Sequence, residues 1–161
     1  MGANGQFKVG YPDESQCIKI FLVGSLSSLA QAGAPGGPTP VSIISTVSTA
    51  TTLAHEVGHY FGLAHTFQGT ATPVFPNFPN YAQYVNSPVT LSDGNTYTCY
   101  ETGDFICDTP ADPGNCTGLT CEQSSCVVTP TDPLGAHYTP DRHFIMSYYS
   151  QCRSTFSPEQ N

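Results

Sequence analysis

Five fixed positions fall within one run of this 161-residue chain. His55-Glu56-Val57-Gly58-His59-Tyr60-Phe61-Gly62-Leu63-Ala64-His65 fits H-E-x-x-H-x-x-G-x-x-H throughout. If residues 51 to 61 are helical, His55 and His59 stand four apart and project from one face, so two imidazoles can share one metal. Gly62 has no Cβ and can take the left-handed conformation that ends a helix and swings the chain back, bringing His65 round as a third ligand. Three neutral imidazoles leave the fourth position of a tetrahedral zinc to water, the arrangement of a catalytic rather than a structural site. Glu56, beside the first ligand, is placed to take that water's proton. A lone histidine is more often packing than chemistry, whereas this many residues at ligand spacing make a metal site.

Such ligands need a rigid carrier. Ser48 or Thr49 can cap the helix, which then carries Leu53, Ala54, Val57, Tyr60 and Phe61 toward a core. Upstream, Cys17 to Val23 alternates and then runs apolar, suiting a strand buried on at least one face. Residues 24 to 40, rich in Gly, Ser, Ala and Pro, read as a surface excursion. The short β-branched run 41–45 is expected as the strand bordering a cleft, where an extended substrate could pair with its edge. Residues 66 to 95 are rich in proline and aromatics and read as a long loop with a helical turn around Tyr81 to Val85, walling one side of a substrate groove. From Cys116 to Arg142 there is almost no periodicity, which suits loop held by disulfides. Ser157-Pro158-Glu159-Gln160 reads as the N-cap and first turn of a helix that is cut off there.

Composition bounds the function. Twelve acidic against four basic residues give a formal charge of −8, which repels phosphate backbones and anionic membranes and argues against nucleic acid as a partner. No apolar run approaches the roughly 18 residues that span a bilayer. The length suits one domain, so two lobes sharing one cleft are expected, with a monomer as the working state. Cysteines at 17, 99, 107, 116, 121, 126 and 152 point to disulfides and an oxidising compartment. The spacing Cys116-x4-Cys121-x4-Cys126 keeps a structural zinc site open as an alternative, although no C-x2-C pair is present. The odd count leaves one thiol over, and Cys17 is expected to be unpaired and buried. The polar start has neither the basic residues nor the apolar run of a signal peptide. The cysteines therefore suggest a mature or truncated piece of a secreted precursor.

Glu101, Asp104, Asp108 and Asp112 gather in a short stretch of turn formers. Two readings stay open: oxygen ligands for Ca²⁺, or a solvated acidic turn with Asx-type hydrogen bonds. The spacing is not that of an EF-hand. Asn115-Cys116-Thr117 matches a glycosylation sequon. His137 and His143 are further metal candidates by residue type, but neither sits at ligand spacing from the other.

Downstream, Phe144-Ile145-Met146-Ser147-Tyr148-Tyr149 looks like the Met-turn that accompanies the long histidine motif in metzincins. Three further matches are Thr66-Phe67 after the third histidine, Gly103-Asp104 followed by Asp108-Thr109-Pro110, and Met146 leading to Cys152 and Phe156 to Gln160. With these, residues 17 to 160 resemble the pappalysin family of metzincin zinc endopeptidases. The resemblance implies an α+β, metzincin-like two-lobed catalytic domain. Residues 1–65 would form an upper lobe, a small twisted mixed sheet with the active-site helix and third ligand. Residues 66–161 would form an irregular, disulfide-bonded lower lobe. It also implies zinc on His55, His59 and His65, Glu56 as general base and acid, Met146 as a hydrophobic floor, and Tyr148 assisting at the metal. Tyr149 has the same chemistry but not the offset. Calcium at Asp104 and Asp108 is a further implied cofactor.

The chain departs from that pattern in two places. The strand and helix that usually precede the strand at Cys17 do not fit in its front, and residues 147–151 lack the acidic residue that goes with arginine preference. The function implied is a secreted zinc-dependent endopeptidase acting on proteins or peptides. The alternatives are a non-catalytic, zinc-stabilised, disulfide-rich binding module, against which Glu56, Gly62 and Tyr148 speak, and a zinc amidase acting on non-peptide bonds.

Overall fold

The computed structural model describes residues 18, 20–23, 30–32, 41–44, 49–69, 83–92, 94–114, 121–122, 131–132, 134–149 and 151–161. The chain divides into two compact units, Met1–Gly62 and Leu63–Asn161.

In the first unit, β1 (Ile20–Val23), β2 (Ala30–Gln31) and β3 (Val41–Ile44) form a mixed sheet in the order β1-β3-β2. β1 runs parallel to β3, with Ile20 opposite Val41 and Val23 opposite Ile44, and β2 runs antiparallel to it. This corrects the expectation that residues 41–45 form an edge. β3 has a neighbouring strand on each side, with Ser42 and Ile43 already paired to β2, so an extended substrate cannot add across those residues. The reason is the excursion between β1 and β3: a parallel pair needs a long crossover, and part of that crossover folds back as β2. On β1, Ile20 and Leu22 are exposed while Phe21 is half-buried, the alternation of a strand covered on one face.

α1 (Ala50–Tyr60) lies against β2 and β3. Thr49 is its N-cap. The Thr52 N–H donates to Thr49 Oγ1 at 3.2 Å, and the Thr49 N–H donates back to Thr52 Oγ1 at 3.4 Å, a reciprocal capping box. At the other end the Gly62 N–H donates to the His59 carbonyl at 2.9 Å, and Gly62 sits at φ +93°, the left-handed turn that its residue type allows. The buried face differs from the expected one. His55, Glu56 and Gly58 are buried, Leu53, Ala54, Val57 and Tyr60 are half-buried, and Phe61 is 65% exposed, because it lies past the last helical residue and out of register with the inner face.

In the second unit regular structure is sparse. β4 (Val89–Thr90) and β5 (Thr96–Tyr97) pair antiparallel, with the Thr90 and Thr96 hydroxyls 2.9 Å apart across the pair. β4 falls inside the stretch expected to be a loop. Its strand, two residues long, is too short to leave a periodic signal. Residues 83–85 are not helical, and 81–82 lie outside the described residues. The apolar core comprises Phe67, Tyr84, Ala111, Tyr138, Phe144, Ile145 and Met146, and the fully buried side chains beside it include Thr66, Thr102, Thr109, Asp112, Ser147 and Ser157. Disulfides join Cys99 to Cys107 and Cys121 to Cys152. The second removes Cys121 from the cysteine zinc alternative. Cys17, Cys116, Cys126 and the sequon at Asn115 lie outside the described residues. Pro158–Gln160 is a 3₁₀ helix rather than the start of an α-helix, capped by Ser157 with a reciprocal bond to Gln160.

The acidic stretch is drawn into separate local jobs. Glu101 accepts from the N–H and hydroxyl of Thr98, both at 3.0 Å. Asp108 Oδ2 accepts the Glu159 N–H at 2.9 Å, and Glu159 in return accepts the Cys107 N–H at 2.9 Å, so the 3₁₀ helix and the Cys99–Cys107 loop hold each other. Asp104, 3% exposed, accepts the Thr109 hydroxyl on both oxygens at 2.9 Å and the Ile106 N–H at 3.2 Å. Burial nonetheless raises its pKa from 3.8 to about 7; those hydrogen bonds oppose the rise and Asp108 adds to it.

Two outcomes are expected. Gly62→Ala puts a Cβ where no atom lies within 4 Å, so only backbone strain opposes it; the cost is about 1–2 kcal/mol, read as a lower urea midpoint at unchanged m-value. For Asp104, the folded pKa lies above the unfolded one, so the folded chain keeps a proton that the unfolded chain releases. Stability therefore falls as pH rises from about 4 to about 7 and levels off above. Asp104→Asn should flatten that slope in calcium-free urea titrations; an undiminished slope would place the titration elsewhere.

Candidate metal centre

The helix, its glycine stop and the extended residues after it bring three imidazoles together. His55 and His59 lie one turn apart on α1 with ring centroids 4.7 Å apart, edge to face. The ligand atoms of His55, His59 and His65 all lie within 4.8 Å of one another. Among the described residues this is the one group of three or more His, Cys, Asp or Glu side chains able to share an ion. An all-imidazole set suits zinc and related borderline metals and is a poor match for the hard, oxygen-seeking Ca²⁺. Glu56, next in sequence to His55, is buried on the same helix, 9% exposed.

Within Leu63–Asn161, His65 is packed by aromatic rings. Phe67 stacks on it, centroids 4.7 Å apart and 10° from parallel, and Tyr148 meets it edge-on at 4.6 Å. Phe67 and Tyr148 are themselves 4.6 Å apart. Tyr148 is 60% exposed, so one side of its ring backs the histidine while much of it faces solvent. The Thr66 N–H donates to the Met146 carbonyl at 3.2 Å, which ties the residue after His65 to the turn before Tyr148. The Met146 side chain is fully buried. That turn is held from the other side by the Arg153 guanidinium, which donates to the carbonyls of Ile145 at 3.4 Å and Ser147 at 3.3 Å, and by the Ile145 N–H on the Thr155 carbonyl at 2.7 Å.

Tyr149 is used differently from its neighbour. Its hydroxyl donates to Asp112 Oδ1 at 3.1 Å, and burial followed by the Asp112 charge pushes its pKa well above the ordinary phenol range. His137 and His143 are exposed and join no metal group, and His143 instead lies 3.0 Å from the Asp141 carboxylate. Glu101, Asp104, Asp108 and Asp112 are not gathered into a shared ligand group of three. Sequence reasoning overlooked Arg153, and it took Asp112 only as one of an acidic run. Neither residue stands at a diagnostic spacing from the histidines, so only the folded contacts single them out.

No protein-family model matches the chain. It is similar to a protein of Colletotrichum graminicola named extracellular metalloprotease, 32% identical over 111 residues, which make up 68% of this chain and 27% of that protein. Proteins of the same name from Pyricularia oryzae, 31% identical over 112 residues, and Sordaria macrospora, 32% identical over 111 residues, each match 68% of this chain and 27% and 26% of their own lengths. The shared name supports a metalloprotease family for this chain, which spans about a quarter of the length of these curated relatives.

Proposed function

We propose that the chain carries the active site of an extracellular zinc metalloendopeptidase of the metzincin clan, pappalysin-like, cutting protein or peptide substrates. The observation that carries the reading is that the ligand atoms of His55, His59 and His65 lie within 4.8 Å of one another, with Glu56 buried on the helix that bears the first two. Its location is supported by the two disulfides, which persist in oxidising compartments, and by the name of the relatives. No helix among the described residues is long and apolar enough to cross a membrane.

In this reading His55, His59 and His65 hold the ion. A zinc ion held by them would supply a bound water with its pKa lowered toward about 7 and a positive centre to polarise the scissile carbonyl. Glu56 takes the water's proton as attack begins and later returns it to the departing amine. Tyr148, packed against His65 yet largely open to solvent, presents its phenol to the oxygen that gains charge in the transition state. Met146, its side chain fully buried, would form the hydrophobic floor beneath the metal, while its carbonyl accepts the Thr66 N–H. Calcium at Asp104 and Asp108 remains a separate proposal, tested by whether added Ca²⁺ raises the urea midpoint of the chelated chain.

A protein digest with and without a zinc chelator tests the assignment: cleavage should be present, stop on chelation and return with zinc. A chain that binds zinc and cuts nothing would favour the binding-module alternative; one that hydrolyses only non-peptide amides would favour the amidase. Glu56→Gln should keep the metal and lose at least about 10²-fold in turnover. Tyr148→Phe should lower kcat while leaving KM near the parent value, because its bond forms in the transition state. A change confined to KM would make Tyr148 a substrate-binding residue instead.

A further inference from the structure

Asp112 has no ligand spacing to the histidines, yet its carboxylate joins the residue after His65 to the residue after Tyr148. It is 2% exposed. Oδ2 accepts the Thr66 hydroxyl at 2.7 Å, while Oδ1 accepts the Tyr149 hydroxyl at 3.1 Å and the Gly114 N–H at 2.8 Å. Thr66 is peptide-bonded to His65 and Tyr149 to Tyr148. The same loop also bears on the aromatic backing of the histidine. Gly114 sits at φ +75°, and a Cβ there would meet the Phe67 ring at 2.9 Å; Phe67 in turn stacks on His65.

We propose that Asp112 is the positioning residue of the metal centre, one buried carboxylate that, through Thr66 and Tyr149, sets the third imidazole against the phenol of Tyr148. The proposal rests on the metallopeptidase reading. A buried carboxyl group with its oxygens bonded to donors on two segments locks both together, because releasing either segment leaves a buried polar oxygen short of a partner. The 2.7 Å bond to Thr66 has the ordinary length of a well-formed O–H···O hydrogen bond. Held in this way, His65 meets the ion without first searching for its rotamer, and Tyr148 keeps its distance from the ligand. Asp112 touches neither metal nor substrate, so its effect should appear in metal affinity and in turnover rather than in substrate affinity.

The test compares the zinc-loaded chain with Thr66→Val, Thr66→Ser, Asp112→Asn and Tyr149→Phe. It measures the zinc dissociation constant by competition with a chromophoric chelator, the visible spectrum of the cobalt-substituted forms, and kcat and KM separately. Thr66→Val and Asp112→Asn should weaken zinc by roughly tenfold or more and alter the cobalt bands, while Thr66→Ser, which keeps the donor, stays within about twofold. Tyr149→Phe should lower kcat with KM and zinc affinity unchanged. If Asp112→Asn fails to fold, the single-hydroxyl variants still decide. Equal zinc affinity and identical cobalt spectra in Thr66→Val and the parent would overturn the proposal, as would Thr66→Ser losing as much as Thr66→Val. A parent chain that neither binds zinc nor cuts would sink the metallopeptidase reading; a parent that does both beside an unaltered Thr66→Val sinks only the role of Asp112.

Discussion

A carboxylate removed from water must find donors inside the protein, and the second unit of this chain is built on that requirement. Asp112 gathers Thr66, Gly114 and Tyr149. Asp132, 3% exposed, takes the N–H groups of Val85, Leu134 and Ala136 and so closes the turn between the bridged residues Thr131 and His137. Asp104 is met by Thr109 and Ile106. Where strands are two residues long, no ladder can align distant segments. Buried acids, each bonded to backbone or hydroxyl donors, take over that task, and two disulfides restrict the loops between them.

The helix that presents His55 and His59 is secured by other means. Its inner face is polar, so apolar burial alone does not hold it in place. Thr49 satisfies the exposed amides at its start, and Gly62 turns the chain at its end. Local chemistry at both ends therefore sets where the helix starts and stops.

The histidine motif was legible because its meaning is local: a spacing of four becomes one face through helix geometry alone, and a glycine three residues later becomes a turn. The caps at Thr49 and Ser157 were legible for the same reason. Strand order was not. The run at 41–45 looks the same whether it lies at an edge or in the middle, and only the return of Ala30–Gln31 decides. Nor could spacing within the acidic run show that Asp112 would meet Thr66, 46 positions away in sequence. The apolar residues of α1 suggested a conventional amphipathic face, but His55, Glu56 and Gly58 take the buried positions.

The adjacent tyrosines 148 and 149 share a composition and divide the work by one step along the backbone. One phenol lies open to solvent beside an imidazole; the other is spent on a buried acid. Their environments differ by register relative to Met146 and not by residue type. Inserting a single amino acid between the methionine and the pair would put the first tyrosine at the position that bonds Asp112 and leave no tyrosine at the exposed position beside His65. What this segment must preserve is a count of peptide bonds, a quantity that substitution scanning leaves untouched.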